Sequence, residues 1–265
     1  MMFLRSSLSR AGVLFLALAG IGSTGCITTA IVNNVQYRNA QRAQEAARQR
    51  RIAALAPVAD AGDAKARVAL ADELLSGPDP SEATLRRALT LLAQAAAQDN
   101  GRAQGQLGEI LAEGQVGQFG ALPADLRDRE RGIALLQRAS THGCSSETSG
   151  TRRGLDPAWA ASLGLTAAGR PEQARVWRAR AILHCRDSTP AFLLREATTP
   201  QTAPARRADS LAILLLMGDA EAIAKARQTV GAEDFAAAER LAADLQREIA
   251  ASERDYPAPP RKELP

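Results

Sequence analysis

The chain has 265 residues, with 33 lysines and arginines against 29 aspartates and glutamates, a formal net charge of +4 and only 3% aromatic residues. That length supports one sizeable core, and a near-balanced charge without a basic stripe interleaved with aromatics argues against a nucleic-acid footprint. Abundant Ala and Leu beside so few aromatics point to helices packed closely through small side chains.

The N-terminus reads as an export signal. MMFLRSSLSR carries Arg5 and Arg10 as its only charges, and the apolar run AGVLFLALAGI that follows is too short to span a bilayer as a mature helix. Within LAGIGSTGCITTA, Gly20, Gly22 and Gly25 have the GxGxxG spacing of a dinucleotide-binding loop. That loop needs a buried strand before it, a helix after it and an acidic residue about 20 positions on, and this context is missing. Two processing sites compete instead. Ala17 and Ala19 supply an A-x-A pattern for ordinary release, whereas S-T-G-C resembles the lipobox of bacterial lipoproteins, whose cysteine, here Cys26, is acylated and becomes the first mature residue. Ser23 stands where the lipobox usually has an aliphatic residue. Cysteine parity favours lipidation: the chain holds only Cys26, Cys144 and Cys185, so acylating the first leaves an even pair for an oxidising compartment. By the same resemblance Ile27, in place of a retention Asp, implies the outer membrane, facing the periplasm. Several acyl chains on one cysteine make release negligible, since each buried methylene contributes about 0.8 kcal/mol. Loss of the signal, residues 1–25, lowers the formal charge to +2.

Residues 26–55, the anchor and NNVQYRNAQRAQEAARQRR, read as a polar helix or linker that holds the folded part off the bilayer. Beyond it the chain repeats. DAKARVALADELLSG (63–77) matches NGRAQGQLGEILAEG (100–114), placing Asp63 on Asn100, Ala66 on Ala103, Leu70 on Leu107, Leu74 on Leu111 and Gly77 on Gly114. Ala66, Leu70 and Leu74 line one side of a helix, which Gly77 closes. The partner helix repeats too: ALTLLAQAAAQD (88–99) matches GIALLQRASTHG (132–143). A looser third copy pairs AWAASLGLTAAG (158–169), with Leu163 and Gly164 on Leu107 and Gly108, with ARVWRARAILHC (174–185). Gly62 sits where Gly143 does, so RIAALAPVADAG reads as the end of an earlier half-repeat.

The pattern A-x-x-L-L-x-x-A-A, a glycine slot, then A-x-x-x-L-G and a closing glycine resembles Sel1-like repeats, relatives of the tetratricopeptide repeat. The likeness covers about half the chain and weakens at Asp99, which takes a glycine slot, and at two long insertions. It implies an all-α fold, a right-handed α-solenoid of helix-turn-helix repeats over 56–187, acting as a curved adaptor for proteins or peptides. Physically, one helix pair cannot bury its apolar side alone, so stacking supplies the core. Residues 188–252 read as further helices and a cap: PARRADSLAILLLMGD closes near Gly218, and AEDFAAAERLAADLQREI is amphipathic through Phe235, Ala238, Leu241, Ala242, Leu245 and Ile249, resembling the terminal lid of Sel1-like proteins. The proline-rich end, 253–265, is expected to be an unstructured tail.

Little here suggests chemistry. His142, Cys144, His184 and Cys185 are open to a metal-cluster reading, but structural zinc sites use tighter spacing and exported thiols oxidise. A Cys144–Cys185 disulfide is the competing expectation, since the two cysteines occupy near-equivalent places in neighbouring units. No catalytic set, metal site or cofactor is assigned, and the arginines read as a solvated helical surface. Trp159 and Trp177 align with apolar slots and are expected in the core. Arg67, Glu73, Gln104 and Glu113 are expected to point away from the core and to form the partner-binding surface if the first helices line the concave side. Three functions fit: a scaffold in an envelope or exopolysaccharide-export assembly, an inhibitor or immunity lipoprotein for one effector enzyme, and a cell-wall hydrolase with a cryptic site.

Overall fold

The computed structural model describes residues 11–77, 81–116, 120–144, 151–152, 154–185 and 189–259, with side chains from Gln36 onward. The described chain is all-helical; among the described residues the one β-type pairing is an isolated bridge between Gln115 and Ala121. It divides into two compact units, Met1–Ala54 and Leu55–Pro265.

The described residues of the first unit lie within α1 (Ala11–Asp60). Its described side chains are mostly exposed and interact along the helix itself. Arg48 donates to Glu45 at 2.6 Å and Gln49 donates to it at 2.8 Å, and these bonds lower the Glu45 carboxyl to about 2. Among the described residues no helix is long and apolar enough to cross a membrane.

The second unit contains α2 (Ala64–Leu75), α3 (Glu82–Ala97), α4 (Gly101–Glu113), α5 (Arg129–Ala139), α6 (Pro157–Ala167), α7 (Pro171–Cys185), α8 (Pro190–Thr198), α9 (Pro204–Met217), α10 (Ala220–Thr229) and α11 (Ala232–Asp255). Each helix from α2 to α6 packs on the next; α7 then meets α9 and α11, α8 packs on α9 and α10, and α11 lies on α9. Short polar side chains start most of these helices. Asp63, Ser81, Asn100, Asp128, Asp156, Thr189 and Asp219 each accept a bond from an otherwise orphaned backbone N–H of the first turn.

The two well-matched copies behave alike. Ala66, Leu70 and Leu74 of α2 are buried, as are Ala103, Leu107 and Leu111 of α4. The slot before each first helix demands a positive φ, met by Gly62 (106°), Asp99 (60°) and Gly143 (132°). Asp tolerates that region because its short polar side chain bonds locally. The first helix closes differently from expectation: α2 ends on Ser76, in the right-handed region, whereas α4 ends on a left-handed Gly114. The third copy departs in register. Leu163 is 45% exposed where its aligned partner Leu107 is buried, and Leu165, two residues on and so on the opposite side of the helix, fills the core instead.

Glycine sets the α4/α5 approach. A Cβ on Gly132 would stand 2.3 Å from the Ala112 nitrogen and 2.8 Å from the Gly108 oxygen, so the two backbones meet with no room for a side chain. One apolar cluster gathers Ala112, Ile133, Leu136, Ala161, Leu165 and Trp177; a second gathers Ile182, Leu193, Ile213, Leu214, Phe235 and Leu245. Trp177 is buried, and the half-buried Trp159 packs against both clusters.

Helix α11 closes the second cluster and runs further than the sequence suggests, through Asp255 into the segment expected to be unstructured. Tyr256 meets Trp177 edge-on at 5.4 Å. The Arg180 guanidinium lies 4.4 Å from the Trp177 ring centre, donates to the Ser252 hydroxyl at 2.8 Å and donates to the Tyr256 carbonyl. Residues 260–265 of the expected tail lie outside the described residues.

Candidate functional site

Cys144, just beyond the α5 end, and Cys185, the last residue of α7, form a disulfide with a Cα separation of 5.3 Å. The bond spans 41 positions and ties the long 143–156 insertion to α7, a constraint worth on the order of 3–4 kcal/mol by chain entropy. Beside it sits buried Asp156, which accepts from the Ala158 and Trp159 N–H groups and so starts α6; a carboxylate oxygen lies within 4.8 Å of both sulfurs. Joined sulfurs present no thiolate pair to an ion. The two histidines turn to separate carboxylates, His142 to Asp99 at 3.3 Å and His184 to Glu253 at 2.7 Å. The four residues of the metal-cluster reading therefore divide between a covalent bond and two helix contacts.

The expected partner surface is regrouped. Arg67 is half-buried and its Nε donates to the Ala59 carbonyl at 3.1 Å, securing the start of α2 against the preceding turn. Glu73 and Glu113 are half-buried. Gln104 is fully buried, contrary to expectation. It lies about 200° around α4 from Arg102 and faces the α3/α4 turn, where its amide donates to Asp99 at 3.0 Å and to the Ala96 carbonyl at 3.4 Å. It braces the turn in which Asp99 has replaced glycine.

A different α4 stripe emerges in its place. Arg102, Gln106, Glu109 and Glu113 recur at spacings of four, three and four and so share one face. Arg102 and Gln106 both donate to Asp72 of α2, at 2.8 and 3.4 Å, and Glu109 accepts the Arg152 backbone N–H at 2.6 Å. The Arg152 guanidinium reaches Asp72 at 3.9 Å. The stripe thus links two successive first helices and the strand of chain entering α6. It ends at Glu113, in an open cleft of about 540 Å³ that also involves Gln115, Ala121, Arg127 and Arg129. In the sequence Asp72 and Glu109 fall at equivalent positions of the two copies, each directly after an apolar-to-small step, Leu70–Ala71 and Leu107–Gly108, whereas Arg152 lies outside the repeats and no pattern marks it.

No family model, curated protein or solved structure matches the chain.

A second polar cluster lies among α7, α8 and α9. Arg178 is buried and donates to Glu196 at 2.6 Å and to the Ser210 hydroxyl at 3.2 Å; Ser210 donates to the same carboxylate at 2.7 Å, and Arg206 reaches its other oxygen at 3.0 Å. Arg175 pairs with Asp209 at 2.7 Å. Burial alone pushes the Glu196 carboxyl up, but bonds from Arg206 and Ser210 and the Arg178 charge outweigh it and hold the group below its ordinary value. Burial wins at Asp209, whose carboxyl is raised despite Arg175. Arg178 and Arg180 correct the expectation of a wholly solvated arginine surface: both are buried, because α7 is covered by α9 and α11. Each member of this cluster is already turned to a partner within the fold, so its role is to hold three helices in register.

Cys26 lies among the residues whose side chains are outside the described set.

Proposed function

We propose that the protein is a lipid-anchored scaffold of the outer membrane, facing the periplasm, whose Sel1-like helix pairs stack as a right-handed solenoid and bind partner proteins of an envelope or exopolysaccharide-export assembly. The observation that carries the reading is the Cys144–Cys185 disulfide. A bonded pair suits an oxidising compartment and leaves Cys26 as the one cysteine outside it, at the place where the lipobox likeness expects the acyl acceptor. The succession of helix on helix from α2 to α7 supports a stacked array, and the accessible ends of the α4 stripe, Arg102 and Glu113, offer opposite charges against which a partner's polar groups can be matched, its middle residues Gln106 and Glu109 being buried.

Two measurements test it. Mass spectrometry of the mature N-terminus is expected to find an acylated Cys26, and the Cys26→Ser chain is expected to leave the membrane fraction. Crosslinking in intact cells is expected to recover an assembly, with recovery at least tenfold lower for the Arg102→Glu, Glu113→Arg double variant if the stripe is the contact, as for a charged hot spot of about 1.4 kcal/mol or more. An unmodified N-terminus overturns the anchor; recovery of a single effector enzyme replaces the scaffold with an inhibitor.

A further inference from the structure

The positive charge of this protein is concentrated in one place. Between Cys26 and Arg51 stand five arginines, Arg38, Arg42, Arg48, Arg50 and Arg51, against the single acid Glu45, a net +4; residues 52–265 carry 26 basic and 28 acidic side chains, a net −2. Once the export signal is gone, the remaining excess of positive charge over the mature chain lies in this stretch of α1. The structure adds its disposition. Tyr37, Arg38, Gln41, Arg42, Glu45 and Arg48 fall within a sector of about 140° on the helix. Arg48 sits on Glu45 at 2.6 Å, so the one acid of the sector is answered by a residue of the same helix, and Arg38 and Arg42 remain exposed on it. Tyr37, the most exposed large apolar side chain among the described residues at 65%, flanks them. A tyrosine with an apolar body and a polar tip is suited to the headgroup level of a bilayer.

We propose that this face of α1 docks on an anionic phospholipid surface, so that the segment after the anchor lies along the bilayer rather than standing off it as a spacer. The inference rests on the proposed anchor at Cys26 for its starting point. Arg38 is twelve residues from that cysteine, so an acyl tether keeps the arginines close to the membrane whatever the path of the chain between. Basic side chains near an anionic surface are attracted to it, and the attraction fades within a Debye length and so weakens as salt rises. Charge decides the occupant: a phosphatidylglycerol-type headgroup matches an arginine pair with no nearby unanswered acid, and a zwitterionic surface does not.

The full chain purified from membranes is reconstituted with vesicles of phosphatidylcholine alone, or with about one third phosphatidylglycerol, and digested with trypsin at low and high salt. The expected result is flotation with both vesicles, cleavage at Arg38 and Arg42 slowed about tenfold on the anionic ones, and loss of that protection at high salt. Equal cleavage on both vesicles, with flotation intact, overturns the docking and leaves the anchor standing. A chain with unmodified Cys26 that still floats with anionic vesicles alone sustains the docking and removes the anchor, and one that floats with neither overturns both. The Arg38→Gln, Arg42→Gln chain lacks those tryptic sites and is followed by chymotrypsin cleavage after the exposed Tyr37, which is expected to be slowed on anionic vesicles in the parent chain and equal on both vesicles in the variant; a difference that persists at full size in the variant also overturns the assignment to this face.

Discussion

Arg178, 6% exposed, is one of two buried arginines of α7. Its carboxylate partner Glu196 comes from another helix, so removing it strands a guanidinium in the interior. The Glu196→Ala chain is expected to lose on the order of 3–5 kcal/mol in urea unfolding. Acid should act through the same residue. Because the folded Glu196 carboxyl lies below its ordinary value of 4.5, its stabilisation is present above that value and is lost as pH falls toward the folded pKa. Asp209 works the other way: its raised folded pKa means it takes up a proton before the unfolded chain does, so acidification relieves it. Glu196→Gln removes the first effect and keeps the second, so its melting temperature is expected to fall less than that of the parent chain between about pH 6 and pH 3, as followed by circular dichroism. A steeper fall in the variant would show that the acid sensitivity resides elsewhere.

Among elements, the α4/α5 pair makes the sharpest demand. A methyl group at Gly132 gains about 1 kcal/mol of helix propensity and meets backbone at 2.3 Å, and the clash wins. Gly132→Ala is expected to cost on the order of 3 kcal/mol, whereas Gly231→Ala, with nothing within 4 Å, is expected to be within about 0.5 kcal/mol of the parent. Equal effects in chemical denaturation would remove the close approach as an explanation. This contact also shows what the sequence could convey. The repeats made α2 to α5 legible because apolar spacing and the capping Asp63 and Asn100 recur together. The third copy was misregistered at Leu163 because α6 is rich in alanine, and small residues mark a helix without saying which side is inner. Helix α8 went unnoticed, since nine residues give too few turns for a period to register. Gln104 and the α7 arginines could not be placed, because whether a polar side chain is buried depends on neighbours brought by distant sequence. Of the candidate site, the disulfide followed from the equivalence of two positions in adjacent units, while the α4 stripe depends on contacts to Asp72 and Arg152 that no local pattern encodes.

In the second unit as a whole, α7 is common property. It contributes Trp177 to one apolar cluster and Ile182 to the other, and its final residue carries the disulfide. What covers it arrives from far along the chain: Ser252 and Tyr256 bind Arg180 from 72 and 76 positions away. Tyr256→Ala is expected to lower stability by about 1–2 kcal/mol and to change tryptophan emission, read from the urea midpoint and the spectrum of the folded state. An unaltered midpoint and spectrum would mean that Tyr256 only rests on the Trp177 edge. That long reach bears on biogenesis. A polypeptide synthesised from its amino end delivers α7 early and its cover late, so the edge of the first cluster at Trp177 stays open until the ribosome has released Tyr256. Until then Trp177 and Arg180 stand open to the first chaperone that meets them.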